Sequence, residues 1–263
     1  MTQSSSYVAS RLTKGTATLD EVLTLLRHWS ADDSLATFQQ RVLANAILTK
    51  QTARRTKDIV AFFHAWLLSP DDCPARVLKQ LETYYVDRRI LRELLFLFQC
   101  RSEAVLYDFT RYAYWTAAHQ GALLLRIDEI ERFLQNAQDQ GRAAKGWSAE
   151  TQTRLAQGIM RALTNIGLLY EKSPYRREIV SYHVSDFTVA YLAYDLHLTG
   201  HSDGLLIEHP DWSLFGFDRA RLLARLSELS ETAGMIVQHA GSVVRITWLY
   251  PSWEALIDAT FSR

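Results

Sequence analysis

Apolar residues recur every three or four positions along almost the whole chain, and this period restricts the fold more than any other property of the sequence. Leu155, Ile159, Leu163 and Ile166 form one such stripe; Leu19, Val22, Leu23, Leu25 and Leu26 mark another. A 3.6-residue period puts these side chains on one helix face, and each face then needs a neighbour to cover it. Glycine and proline, at 11 and 5 of 263 residues, are too few for a loop-rich β architecture. A hydrophobic content of 48% excludes a disordered chain.

Cap and breaker residues divide the pattern. A first helix begins near Thr18 or Asp20. Asp32, Asp33 and Ser34 break the chain, and a second helix is expected over about Leu35–Leu48. A three-residue turn, Thr49-Lys50-Gln51, leads to a third helix over about Thr52–Leu67. This pair, about 35–67, has the spacing of a helix-turn-helix. Ser69-Pro70-Asp71-Asp72 is a stop, followed by helices near 75–85, 87–99, 102–119 and 126–137. The polar stretch 139–146 reads as a linker. It divides an N-terminal domain, 1–140, from a C-terminal domain, 141–263. Beyond it Ser148 caps a helix over 149–166 that Gly167 ends, and two β-prone runs follow, 168–171 and 178–182. The stretch 187–198 is helical. Asp218 opens a helix that stops at Gly234, then a hairpin is expected from 235–239 and 243–248, and a last helix over 253–260. The segments at about 147–182 and 211–250 thus share one order: capped helix, glycine, strand, turn, strand. That is the back half of a winged helix. The expected class is all-α: a multi-helical globular fold with helix-turn-helix or winged-helix-like units and at most short β-hairpins.

Lys plus Arg and Asp plus Glu both total 29, so any nucleic-acid surface must be a local patch. On the wheel of the third helix, Thr52, Ile59, Val60, Phe63, Trp66 and Leu67 fall on one side. Lys50, Gln51, Arg54, Lys57, Asp58 and Ala61 fall on the other, with Arg55 at the edge. Cations on such a face neutralise phosphates, and Arg and Gln can read base edges. The helix after Ser148 places Arg154, Gln157, Gly158, Arg161 and Asn165 opposite its core stripe. Gly158 there either admits a second backbone or is tolerated at about 1 kcal/mol. The hairpin that follows adds Lys172, Arg176 and Arg177, a basic wing beside a basic helix. In the last unit Arg219, Arg221 and Arg225 lie on the helix and Arg245 on the hairpin, diluted by Glu228 and Glu231. The candidate DNA contacts are therefore Lys50, Gln51, Arg54, Arg55, Lys57, Arg154, Arg161, Lys172, Arg176, Arg177 and Arg245. The same cations also suit an ordinary solvated helix face.

Catalytic patterns are weak. Gly141 to Ser148 has P-loop glycine spacing but lacks the Lys after its second glycine, and no strand precedes it. His197 and His201 have metal-ligand spacing, yet Gly200 interrupts the turn. No nucleophile elbow, zinc-protease or kinase pattern is present. We expect no enzyme, no metal and no cofactor. Cys73 and Cys100 read as reduced thiols of a cytoplasmic protein. Residues 1–10 lack the apolar core of a signal peptide. The longest apolar run, Ile59–Leu68, falls short of the roughly 18–20 residues that span a bilayer.

Several segments carry a family resemblance. They are Tyr7-Val-Ala-Ser, Arg41-Val-Leu-Ala-Asn-Ala-Ile-Leu-Thr-Lys50, Trp147-Ser-Ala-Glu-Thr-Gln-Thr-Arg-Leu-Ala156, Asn165-Ile-Gly-Leu-Leu169 and Asp211-Trp-Ser-Leu-Phe-Gly216. In that order the chain resembles the BrxA family, small helical proteins of BREX bacteriophage-exclusion systems. The resemblance implies a monomeric, all-helical protein with helix-turn-helix motifs flanked by positive surfaces. It implies binding to double-stranded DNA in a phage-defence locus, with a methyltransferase or ATPase of the system as further partners. The competing role is a scaffold that assembles the defence complex without touching DNA. Some members are described as inner-membrane proteins, which the missing apolar span puts in doubt. The candidate contacts come from the helical wheels and not from the resemblance.

Overall fold

The computed structural model describes residues 7, 11–49, 51–143, 146–173, 176–241 and 243–262. Its helices are α1 (Leu19–His28), α2 (Leu35–Ala44), α3 (Ala53–Leu67), α4 (Cys73–Thr83), α5 (Arg88–Ser102), α6 (Ala104–Asp108), α7 (Trp115–His119), α8 (Ile127–Asp139), α9 (Ala149–Ile166), α10 (Asp186–Leu198), α11 (Asp203–Ile207), α12 (Arg219–Leu229) and α13 (Trp253–Phe261). Its strands are short: β1 (Leu124–Arg126), β2 (Leu169–Ser173), β3 (Arg176–Ile179), β4 (Met235–Ala240) and β5 (Val243–Trp248). The fold is mostly α, as the periodicity requires. No helix among the described residues is long and apolar enough to cross a membrane.

Side-chain caps start the helices where the sequence places them. Thr18 and Glu21 form a reciprocal capping box on α1. Ser34, Thr52, Ser148 and Asp218 accept from backbone N–H groups at the starts of α2, α3, α9 and α12. Each such cap contributes about 1 kcal/mol.

The chain divides into two compact units, one of residues 1–76 and 95–182, the other of 77–94 and 183–263. The stretch 139–146, read from sequence as a linker, falls inside the first unit. Its described residues are tied down at several points. Tyr7 N donates to Arg142 O at 2.7 Å, and the Tyr7 hydroxyl donates to Asp108 at 2.7 Å. The Arg142 guanidinium pairs with Asp108 and lies 4.5 Å from the Tyr7 ring centre. Trp147 N donates to Gln138 Oε1 at 2.6 Å.

In the first unit, α3 packs on α1 and α2, with Phe38, Val42, Ile59, Phe63 and Trp66 buried. The end of α2 differs from expectation. It stops at Ala44, and Ala46 takes a left-handed conformation with φ 45°. The connection to α3 therefore runs over 45–52 and is not a three-residue turn. Further on, α6, a π-helical segment (Phe109–Tyr114) and α7 form one run, followed by β1, α8, α9, β2 and β3. The sheet order is β1-β3-β2, antiparallel throughout, with Leu125 and Glu171 both opposite Arg177. Gly167 at φ 97° closes α9 in the left-handed region that glycine tolerates. The Tyr114 hydroxyl donates to Leu168 O at 2.8 Å and anchors the hairpin to the helix before β1.

The second unit centres on α10, buried from Phe187 to Tyr194 on all faces. Around it lie α11, a 3-10 turn (Pro210–Phe215), α12, the β4–β5 hairpin and α13. The turn and α11 escaped the sequence reading because each is too short to show a period. Trp212 fixes them together, its indole donating to Leu206 O at 2.7 Å. Buried Glu93 accepts from Ser185 N at 3.1 Å, at the start of α10.

Candidate nucleic-acid interface

The segment Arg11–Ala17 runs between α3 and α9 and sets the geometry of the site. Leu12 is buried, and its carbonyl rests on Gly158 of α9. A Cβ at Gly158 would stand 2.5 Å from Leu12 O, so the glycine exists to admit this backbone. That settles the alternative left open by the wheel, and it removes Gly158 from the solvent face. On the other side, Arg55 of α3 donates to Thr16 O at 2.7 Å and to Lys14 O at 3.3 Å. Lys14 pairs with Asp58 of α3 at 3.3 Å.

Two cations from the separate sequence patches meet here. Gly15 has φ 97°, and the point its Cβ would occupy lies 3.6 Å from Arg55 Nη1 and 3.7 Å from Arg161 Nη1. Arg161 Nε donates to Gln157 O at 3.2 Å, and among the described residues Arg161 meets no carboxylate. Partial burial first, then the charges of Arg55 and Arg177, hold its pKa below the usual arginine value. Arg177 is buried on β3, 3.4 Å from Glu171. Glu21 stands 3.7 Å from Arg55.

The remaining candidates divide by their partners. Arg54, Lys57 and Arg176 are exposed and have no carboxylate within ion-pair reach among the described residues. Arg154 is paired with Glu150 one turn earlier, and Lys172 with Glu178. Gln51 donates to Glu21 at 3.1 Å. Lys50 lies outside the described residues. Arg245 is exposed on β5, in the second unit. The arginines of α12 are countered: Arg219 by Glu208, Arg221 by Asp218, and Arg225 by Asp186 and Glu228. The sequence reading missed Gly15 and the Arg11–Ala17 segment. A non-periodic Lys-Gly-Thr marks a turn, but nothing local says that it lies against α9. His197 stacks on Trp248 at 4.4 Å, and His201 Nδ1 lies 3.0 Å from Leu196 O. Among the described residues no three His, Cys, Asp or Glu side chains gather as metal ligands.

Fold and site together define a mostly helical protein of zero net charge with two arginines, Arg55 and Arg161, meeting at Gly15 of its first unit. The chain belongs to the BrxA family, whose model matches residues 6–195, and so is a BREX-associated phage-defence protein. The Asp211–Gly216 segment lies beyond the matched range. No curated protein matches the chain. Among solved structures it is similar to the crystal structure of an uncharacterized protein from Magnetospirillum magneticum. That likeness has 14% identity and a TM-score of 0.60, and covers 73% of this chain and 94% of the other. At that identity it concerns the fold alone.

Proposed function

We propose that the chain binds double-stranded DNA through the face of its first unit built from α3, α9 and the β2–β3 hairpin. One observation carries the reading. Arg54, Lys57, Arg161 and Arg176 meet no carboxylate among the described residues, although acids and bases are equal in number. On α12, in the second unit, Arg219, Arg221 and Arg225 are by contrast each countered by an acid. Uncompensated cations on one face of a neutral chain are what a phosphate backbone selects. The order β1-α8-α9-β2-β3, with β3 central, supports a winged-helix reading in which α9 faces the major groove and the hairpin lies on phosphates. This gives the chain a binding role and no catalytic one, as a cytoplasmic monomer.

The test is a triple reversal, Arg54→Glu, Lys57→Glu and Arg176→Glu. Arg55 is left alone because it holds the Lys14 and Thr16 carbonyls. The triple variant should fold and melt as the parent does and lose duplex affinity by at least about tenfold. Unchanged duplex binding by the folded variant would refute the reading. A second reading, a scaffold that docks a BREX methyltransferase or ATPase, has its own observation. The β4–β5 hairpin leaves Val243 69% and Ile236 47% exposed, beside an α12 with countered charges. Co-purification with such a partner, by a chain that binds no duplex, would favour it.

A further inference from the structure

We propose that Arg55 and Arg161 close around one phosphate group at Gly15, with Arg177 as the third charge of the site. The proposal rests on the reading that this face meets nucleic acid, and it names the point where one backbone phosphate seats. Arg55 of α3 and Arg161 of α9 converge at Gly15, and the charge of Arg177 on β3 reaches Arg161, although more than 120 residues of chain separate Arg55 from Arg177. Glu21 stands beside Arg55 and Glu171 beside Arg177, and among the described residues no carboxylate stands beside Arg161. Arg161 therefore brings a positive charge that no described acid cancels. The Arg55 donors engage neutral carbonyls, and so does Arg161 Nε, which fixes the side chains without cancelling their charge.

Gly15 completes the notch. Its φ of 97° belongs to the region that glycine occupies freely, and the missing side chain leaves open the point that both guanidinium groups approach. A tetrahedral phosphate offers oxygens to two guanidinium groups at once, which a single carboxylate does less well. Burial lowers the Arg161 pKa most, and the further lowering by the charges of Arg55 and Arg177 is relieved when such an anion sits between them. The source of the phosphate is either a duplex backbone or a free phosphate compound, and the chemistry of the notch is the same for both.

The experiment compares the full-length parent with Arg161→Gln, Arg161→Lys and the pair Arg54→Gln, Lys57→Gln. Two readouts are taken. The first is the melting temperature in inorganic phosphate against chloride of equal ionic strength. The second is the slope of log affinity for a duplex against log salt concentration. General salting effects are common to all variants, so the difference from the parent is what counts. Arg161→Gln should lose the phosphate-specific rise in melting temperature, and its slope should shrink by about 0.9, one phosphate contact. The Arg54, Lys57 pair should keep the phosphate effect while its slope shrinks. Arg161→Lys keeps the charge and should retain part of both effects. It also guards against a Gln variant that fails to fold. Parent-like phosphate response and slope in folded Arg161→Gln would overturn the notch, and the duplex reading would stand if the Arg54, Lys57 pair still loses affinity. If the parent binds no duplex, yet Arg161→Gln abolishes the phosphate response, the notch stands as a site for a free phosphate compound and the duplex reading falls.

Discussion

Glu103 is a carboxylate 3% exposed, facing Arg11 across an ion pair and accepting from the Trp66 indole at 3.4 Å. Burial pushes its pKa up, and the pull of Arg11 and the two hydrogen bonds does not restore it. A carboxyl whose folded pKa exceeds its unfolded value binds protons more readily in the folded state. Its share of stability is therefore full below the ordinary glutamate value, about 4.3, and is lost as pH rises through the folded pKa. Glu103→Gln keeps an acceptor for Trp66 and Arg11 but cannot ionise. Urea melts should find it close to the parent near pH 4 and gaining on the parent as pH rises towards neutrality. A variant that loses ground over that window would contradict this account of the site. At this scale the sequence was informative where the partner is close. Thr18, Ser34 and Ser148 were legible as helix starts because a cap acts within four residues, whereas Thr52, read as the first residue of α3, is its cap. Arg55 was placed only at the edge of a basic face, since its carbonyl partners lie 39 and 41 residues away. Which cations are cancelled is non-local information, and a helical wheel cannot carry it.

Among the elements, α9 was legible in full: cap, period and terminal glycine all agree. The π-helical segment was not. A run over 102–119 has the right extent, but one widened turn offsets the period without ending it. The end of α2 was hidden because a left-handed alanine has no signature in composition. β1 holds three residues, too few for alternation to show. What α9 does depends on the backbone laid across Gly158, and that contact can be tested. Gly158→Ala would drive a Cβ to 2.5 Å from the Leu12 carbonyl and 3.3 Å from Leu12 Cβ. The segment it meets is held on its other side by Arg55 and Lys14, so it cannot simply step back. The expected loss is about 1–3 kcal/mol, the range for overpacking a core. Gly204→Ala in α11, with nothing within 4 Å, should be neutral or stabilising by up to about 1 kcal/mol. Thermal melts of the two variants decide the matter. Equal behaviour would mean that the Arg11–Ala17 segment does not press on α9.

For the whole molecule, the balance of 29 basic and 29 acidic residues sets how binding should respond to salt. A uniformly basic protein gathers DNA with its entire surface. A neutral one must rely on cations that its own acids have left uncancelled. On the face built from α3, α9 and the β2–β3 hairpin these are Arg54, Lys57, Arg161 and Arg176 among the described residues. Each phosphate neutralised adds about 0.9 to the slope of log affinity against log salt, so four cations give a slope of roughly −3 to −4. Raising salt fourfold should then weaken duplex binding on the order of 100-fold. Fluorescence anisotropy with a labelled duplex over a series of potassium chloride concentrations measures the slope directly. A slope near zero would mean that phosphates are not what the face contacts. A slope beyond about −6 would mean that paired residues such as Arg154 and Lys172 break their ion pairs with Glu150 and Glu178 to join the contact. Those pairs are exposed, where an ion pair holds by only about 0–1 kcal/mol, so a phosphate can compete for them. The measured slope therefore counts how many of the basic residues visible in the sequence become contacts in the complex.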